Sequence, residues 1–86
     1  MAQQAGNTFS ILRLPQVLQR IGLARSTLYL RIEQHLWTKP VSLGARAVGW
    51  PDNEVTTLNA ARIAGKSDDE IRVVVSNLES ARKAAA

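Results

Sequence analysis

Guanidinium, hydroxyl and amide side chains gather in one stretch of this 86-residue chain, residues 13–50, RLPQVLQRIGLARSTLYLRIEQHLWTKPVSLGARAVGW. These are the donors that grip phosphate oxygens and base edges of a nucleic acid. Arg25 suits a base contact, since arginine can hold guanine O6 and N7 with two hydrogen bonds worth about 1–3 kcal/mol of discrimination. Its bland reading is a solvated turn residue. Ser26 and Thr27 are hydroxyl donors in the same place, or only helix caps. Tyr29 can donate to a phosphate or pack its ring under a hairpin, and Arg31 suits a phosphate contact or plain surface charge. Arg46, on a short turn, can enter a minor groove or clamp a phosphate. Lys39 is a further phosphate candidate. Arg13 and Gln16, beside the start of a helix, can join its free N–H groups in holding a phosphate.

Catalytic chemistry finds no comparable grouping. There is no cysteine and a single histidine, His35, so neither a thiolate metal site nor a Cys-His or Ser-His-Asp arrangement is at hand. The acidic run Asp68-Asp69-Glu70 follows Ser67 as a helix capping box, which explains it without a metal. The expectation is a non-enzyme without metal or cofactor.

The candidate residues need elements to hold them. Pro15 suits a first helical turn, Val17, Leu18 and Ile21 share one face, and Gly22 ends the helix. Leu23, Ala24 and Arg25 make a connection, and Ser26 and Thr27 open a second helix whose Leu28, Ile32 and Leu36 recur at core spacing. Two short helices about a tight turn are the helix-turn-helix pattern. Beyond Lys39-Pro40 the period becomes extended. Val41 to Leu43 and Ala47 to Trp50 read as a two-stranded hairpin turning at Gly44-Ala45, with Arg46 at its tip. Such a hairpin must rest one face on the helices, and Trp50 is its anchor; Trp37 is also read as core.

A third helix starts after Pro51, capped by Asp52 or Asn53, with Val55, Leu58, Ala61 and Ile63 as apolar positions, and stops at Gly65-Lys66. The fourth runs from the Ser67 capping box to about Lys83. Its Ile71, Val74, Val75, Leu78 and Ala81 fall on one helical face, which overrides the strand preference of the Val73-Val74-Val75 run. That stripe covers its own domain or meets a partner's helix, and in so short a chain its own core is the first claimant.

The fold class is therefore mainly α, a winged helix-turn-helix of about four helices and one small hairpin. Residues 1–10 are expected to be a flexible arm, 11–51 a DNA-binding unit, and 52–86 two supporting helices that could carry a partner or dimer surface. Charge follows this division. Residues 1–51 hold six basic groups and one acidic, 6 − 1 = +5, whereas residues 52–86 hold five basic and six acidic, 5 − 6 = −1. The first half is the polyanion-facing one. No stretch approaches the roughly 18 apolar residues that span a bilayer, and the first ten residues have neither a basic start nor an apolar run for export. A cytoplasmic protein without membrane contact is expected.

From Leu12 to Trp50 the chain resembles the AlpA family of prophage-associated regulators, small winged-helix proteins related to the MerR-type helix-turn-helix. Their pattern runs approximately LRLPEVLxxxGLSRSTLYRxIxxGxFPKPVKLGxRAVGW and then an acidic E-V pair, here Glu54-Val55. Ala24, Ser42 and Leu30-Arg31 depart from it, at a serine, a basic residue and a basic residue one place earlier. The resemblance implies binding of double-stranded DNA at promoters or attachment regions of integrated phage elements, and activation of their genes. A monomer of this size reads only a short site, so specificity requires self-association on repeated half-sites or a second protein, and RNA polymerase is the natural second partner of an activator, at initiation or in antitermination. Two alternatives stand beside the activator. One is an excisionase-like architectural factor that bends attachment-site DNA, and the other is a protein-only adaptor using the stripe of the last helix.

Overall fold

The computed structural model describes residues 9–85; most of the expected arm, residues 1–8, lies outside the described residues. The element order is β1 (Ile11–Leu12), α1 (Leu14–Ile21), α2 (Arg25–Glu33), β2 (Val41–Ser42), β3 (Val48–Pro51), α3 (Asp52–Ile63) and α4 (Asp68–Ala85). The architecture is mainly α with a small antiparallel sheet, as the sequence patterns require.

The sheet has three strands rather than two, in the order β1-β3-β2. Ile11 pairs with Pro51 and Leu12 with Trp50, while Val41 pairs with Gly49 and Ser42 with Val48. A two-residue strand is too short to show alternation, which is why β1 is invisible to periodicity. Gly49 makes the three-strand arrangement feasible. A Cβ there would lie 2.5 Å from Ile11 Cγ2 and 2.9 Å from the Leu12 carbonyl oxygen.

Trp50, at the centre of this sheet, is fully buried and donates its indole N–H to the Thr38 carbonyl at 2.9 Å. Around it pack Val17 of α1, Leu28 of α2, Val55 and Leu58 of α3, and Ile71 and Val75 of α4. Trp37 is buried as well. The α4 stripe thus covers its own domain: Ile71 and Val75 are buried, Val74 and Leu78 pack against the core, and only Ala81 of the five is exposed.

Helix ends differ from the sequence pattern in instructive ways. The second helix opens at Arg25, one residue before the expected Ser26, and Ala24 occupies its cap position without a side-chain bond. It also stops at Glu33, so Leu36 reaches the core from beyond the helix. There the chain forms a Schellman turn. The His35 N–H donates to the Ile32 carbonyl at 3.1 Å and the Leu36 N–H to the Arg31 carbonyl at 2.8 Å, with His35 at φ 61°. The third helix is preceded by Pro51, and neither Asp52 nor Asn53 caps it. Instead the Asp52 N–H donates to the Ser10 carbonyl at 2.8 Å. Ile63 is 87% exposed rather than buried, because the core face of α3 runs through Val55, Leu58 and Ala61 and Ile63 lies about 200° past Ala61. The Ser67 capping box forms as expected, its N–H donating to Glu70 Oε1 at 2.8 Å and its Oγ accepting from the Glu70 N–H at 3.2 Å.

Candidate nucleic-acid interface

Between α1 and α2 the connection is only Gly22, Leu23 and Ala24. Leu28 is driven fully into the core and Ile32 packs against it, which fixes the rotation of α2 about its own axis. Arg25, Ser26, Tyr29 and Leu30 are consequently left exposed, and Thr27 half-buried. Arg25 lies over the Tyr29 ring at 5.9 Å from its centroid, a cation–π spacing that orients both side chains on the outer face. Ala24 holds the cap position, so the hydroxyls of Ser26 and Thr27 are not engaged as helix caps.

Arg31 is placed apart from this group. It lies about 160° around α2 from Tyr29 and is half-buried near Arg62 and Asp68. Its guanidinium is held below the ordinary arginine value, first by burial, then by the neighbouring Arg62 charge, with Asp68 opposing.

The hairpin carries Arg46, and the segment that leads into it carries Lys39, both exposed. Leu43 N–H donates to the Ala47 carbonyl at 2.8 Å, which closes the loop that presents Arg46. Lys39 projects from a fixed backbone: its N–H donates to Glu79 Oε2 at 2.8 Å, and its carbonyl accepts from Arg82 Nη2 at 2.7 Å. Nothing in the sequence pattern signals these two anchors, because they join positions 40 and more residues apart.

Arg13 and Gln16 meet at the start of α1. The Arg13 N–H donates to Gln16 Oε1 at 2.9 Å, and Arg13 Nε donates to the Val48 carbonyl at 3.0 Å. Arg13 therefore braces α1 against β3 while staying exposed, a role that its position in the sequence does not reveal. Arg20 is exposed and lines a cleft of about 370 Å³ together with Arg31 and Arg62. Sequence reasoning did not connect these three, since they come from three different helices.

Among the described residues, ion pairs form at Arg62, Arg72 and Arg82, all in the C-terminal half. The basic residues of the first half, Arg13, Arg20, Arg25, Arg31, Lys39 and Arg46, form none among the described residues. Those same residues contain no group of histidine, cysteine and carboxylate side chains that could hold a metal ion, and no helix long and apolar enough to cross a membrane.

An uncharacterized protein, ORF88, of Enterobacteria phage P4 is 46% identical over 55 residues, a match that covers 64% of this chain and 62% of that relative. No solved structure matches. Residues 10–63, which run from β1 through the helix pair and the hairpin to the end of α3, match the family described as prophage CP4-57 regulatory protein (AlpA). The family is a regulatory one rather than a family of enzymes, and this chain belongs to it.

Proposed function

We propose that this chain is a sequence-specific regulator of prophage or mobile-element genes that binds double-stranded DNA as a winged helix-turn-helix. The outer face of α2, with Arg25, Ser26 and Tyr29 near its N-terminal half, enters the major groove, and the β2–β3 hairpin sets Arg46 and Lys39 on adjacent backbone. The observation that carries this reading is the division of charge: the arginines of residues 52–86 are largely matched by carboxylates, and those of residues 1–51 have no acidic partner among the described residues. Uncompensated cations on one half of a small protein are the electrostatic footprint of a polyanion site.

Arg13, Arg25, Lys39 and Arg46 supply about four phosphate or base-edge contacts. Log affinity should then fall against log salt with a slope near −3.6. Gel shift of the DNA flanking the gene, with wild type and with Arg46→Ala, is the direct test. A flat salt response and an unaltered Arg46→Ala variant would overturn the reading. Activation is the proposed outcome, acting with RNA polymerase; in vitro transcription with purified polymerase on the footprinted promoter reads its sign.

A further inference from the structure

The protein carries two surfaces that complement one another. The first is the cleft lined by Arg20, Arg31 and Arg62, with Trp37 and Leu23 in its wall and Ile63 at its edge. Three guanidinium groups from three helices line it, and Asp68 lies 3.5 Å from one of them, Arg62. The second is the start of α4, where Asp68, Asp69 and Glu70 are exposed and Val73 follows one turn on. Asp69 and Val73, at i and i+4, share a face of that helix.

Ile63 and Val73 are the two large aliphatic side chains of residues 52–85 left exposed, 87% and 60%. Ile63 sits among arginines, and Val73 follows Asp69 and Glu70, where Arg72 pairs with Asp69 at 3.2 Å and leaves the carboxylates in excess. Because Arg62 touches Asp68, the basic and the acidic surface share a border. A twofold axis along that border lays each surface on the opposite surface of a second copy.

We propose that the chain self-associates through this pair, Ile63 and the three arginines of one copy packing on Asp69, Glu70 and Val73 of the other. Exposed ion pairs are individually weak and screened by salt, so the free protein should associate only at high concentration and low ionic strength. On neighbouring DNA sites the effective concentration is higher, and the same contact becomes cooperative binding.

Sedimentation of the full chain without DNA tests this independently of the DNA-binding reading. At about 0.02 M salt the mean mass should rise from 9.4 kDa toward twice that value as concentration goes from about 20 to about 500 µM, and return to 9.4 kDa at about 0.5 M salt. Ile63→Glu alone and Val73→Lys alone each set like charges against one another at the contact, and each should weaken association at least about tenfold. An equimolar mixture of the two variants sets opposite charges at one of the two contacts and should recover association. A concentration-independent wild type, single variants that associate normally, or a mixture that fails to recover would each overturn the proposal. So would an Ile63→Glu variant whose only change is weaker binding to a single-site duplex, which would make the cleft a DNA phosphate site.

Discussion

Arg82 closes two hydrogen bonds on Glu54, at 2.7 Å to Oε1 and 2.8 Å to Oε2, and extends the same Nη2 to the Lys39 carbonyl at 2.7 Å. The Glu54 side chain is 3% exposed, and Arg82 is the cation placed against it. The contact ties α4 to the start of α3 and to the segment that leads into the hairpin. It also raises the Arg82 pKa above the ordinary arginine value, chiefly through the hydrogen bonds to Glu54.

Removing Arg82 should therefore cost more than an exposed ion pair is worth. Arg82→Ala strands a buried carboxylate and is expected to destabilise the fold by about 3 kcal/mol. Urea unfolding measures this, and Arg82→Met with Glu54→Leu should restore most of the loss. Faster amide exchange at Lys39 in the single variant would show that the hairpin's base had loosened as well.

His35 and Gly65 occupy the same position in two like turns, and only one of them is suited to it. At Gly65, φ is 79° and the N–H donates to the Arg62 carbonyl at 3.0 Å, with the Lys66 N–H to the Ala61 carbonyl at 3.1 Å. His35 adopts φ 61° with the matching pair of bonds, although a left-handed residue with a Cβ costs about 1–2 kcal/mol. His35→Gly should stabilise the protein by about 0.5–1 kcal/mol after the unfolded-state entropy of glycine is subtracted. Gly65→Ala should destabilise it by about 1 kcal/mol, and thermal unfolding of the pair checks both signs.

Much of this architecture is legible in the sequence because it is local. Pro15 and Gly22 bracket α1, Ser67 and Glu70 start α4, and the spacing of Ile71, Val75 and Leu78 picks the buried face. What periodicity does not carry are the contacts between distant segments: β1 on β3, Arg13 on Val48, Arg82 on Glu54. For the candidate site the same division holds. The exposed face of α2 follows from where Leu28 and Ile32 must go, whereas the cleft that Arg31 shares with Arg20 and Arg62 depends on how three helices pack. Ile63 departs from the apolar pattern because it lies about 200° past Ala61, off the face that Val55, Leu58 and Ala61 share.

Gly49 offers a test of the third strand. Gly49→Ala would set a methyl group 2.5 Å from Ile11 Cγ2 and 2.9 Å from a backbone oxygen of β1, and the backbone cannot yield as a side-chain tip can. The expected cost is about 1–3 kcal/mol, the range for overpacking. Loss of amide protection should appear at Leu12 and Asp52, where β1 and Ser10 hold the start of α3, before it appears in α4.

Acid should loosen the start of α4. Hydrogen bonds from Ser67 hold the Glu70 carboxyl below the usual carboxylate range, the backbone N–H first and the hydroxyl second. A depressed carboxyl contributes stability above its unfolded value of about 4.3 and loses it as pH falls through the lower folded value. Glu70→Gln should accordingly show a shallower fall of the thermal midpoint between about pH 5 and pH 3 than wild type. Parallel curves would remove Glu70 from the acid response.

Arg25 and Arg31 together test which side of α2 the proposed duplex would meet. Arg25 stands exposed over Tyr29, while Arg31 is half-buried near Arg62, about 160° around the helix from Tyr29. A duplex seated on the Tyr29 side cannot reach Arg31 without unpacking α2 from the core. Arg25→Ala should then weaken binding to a single-site duplex by about 1–3 kcal/mol and relax base preference at one position. Arg31→Ala should change the same affinity by less than about 0.5 kcal/mol, as expected of a charge outside the contact. Equal losses from the two substitutions, with both variants folded, would mean that α2 enters the groove by its other side.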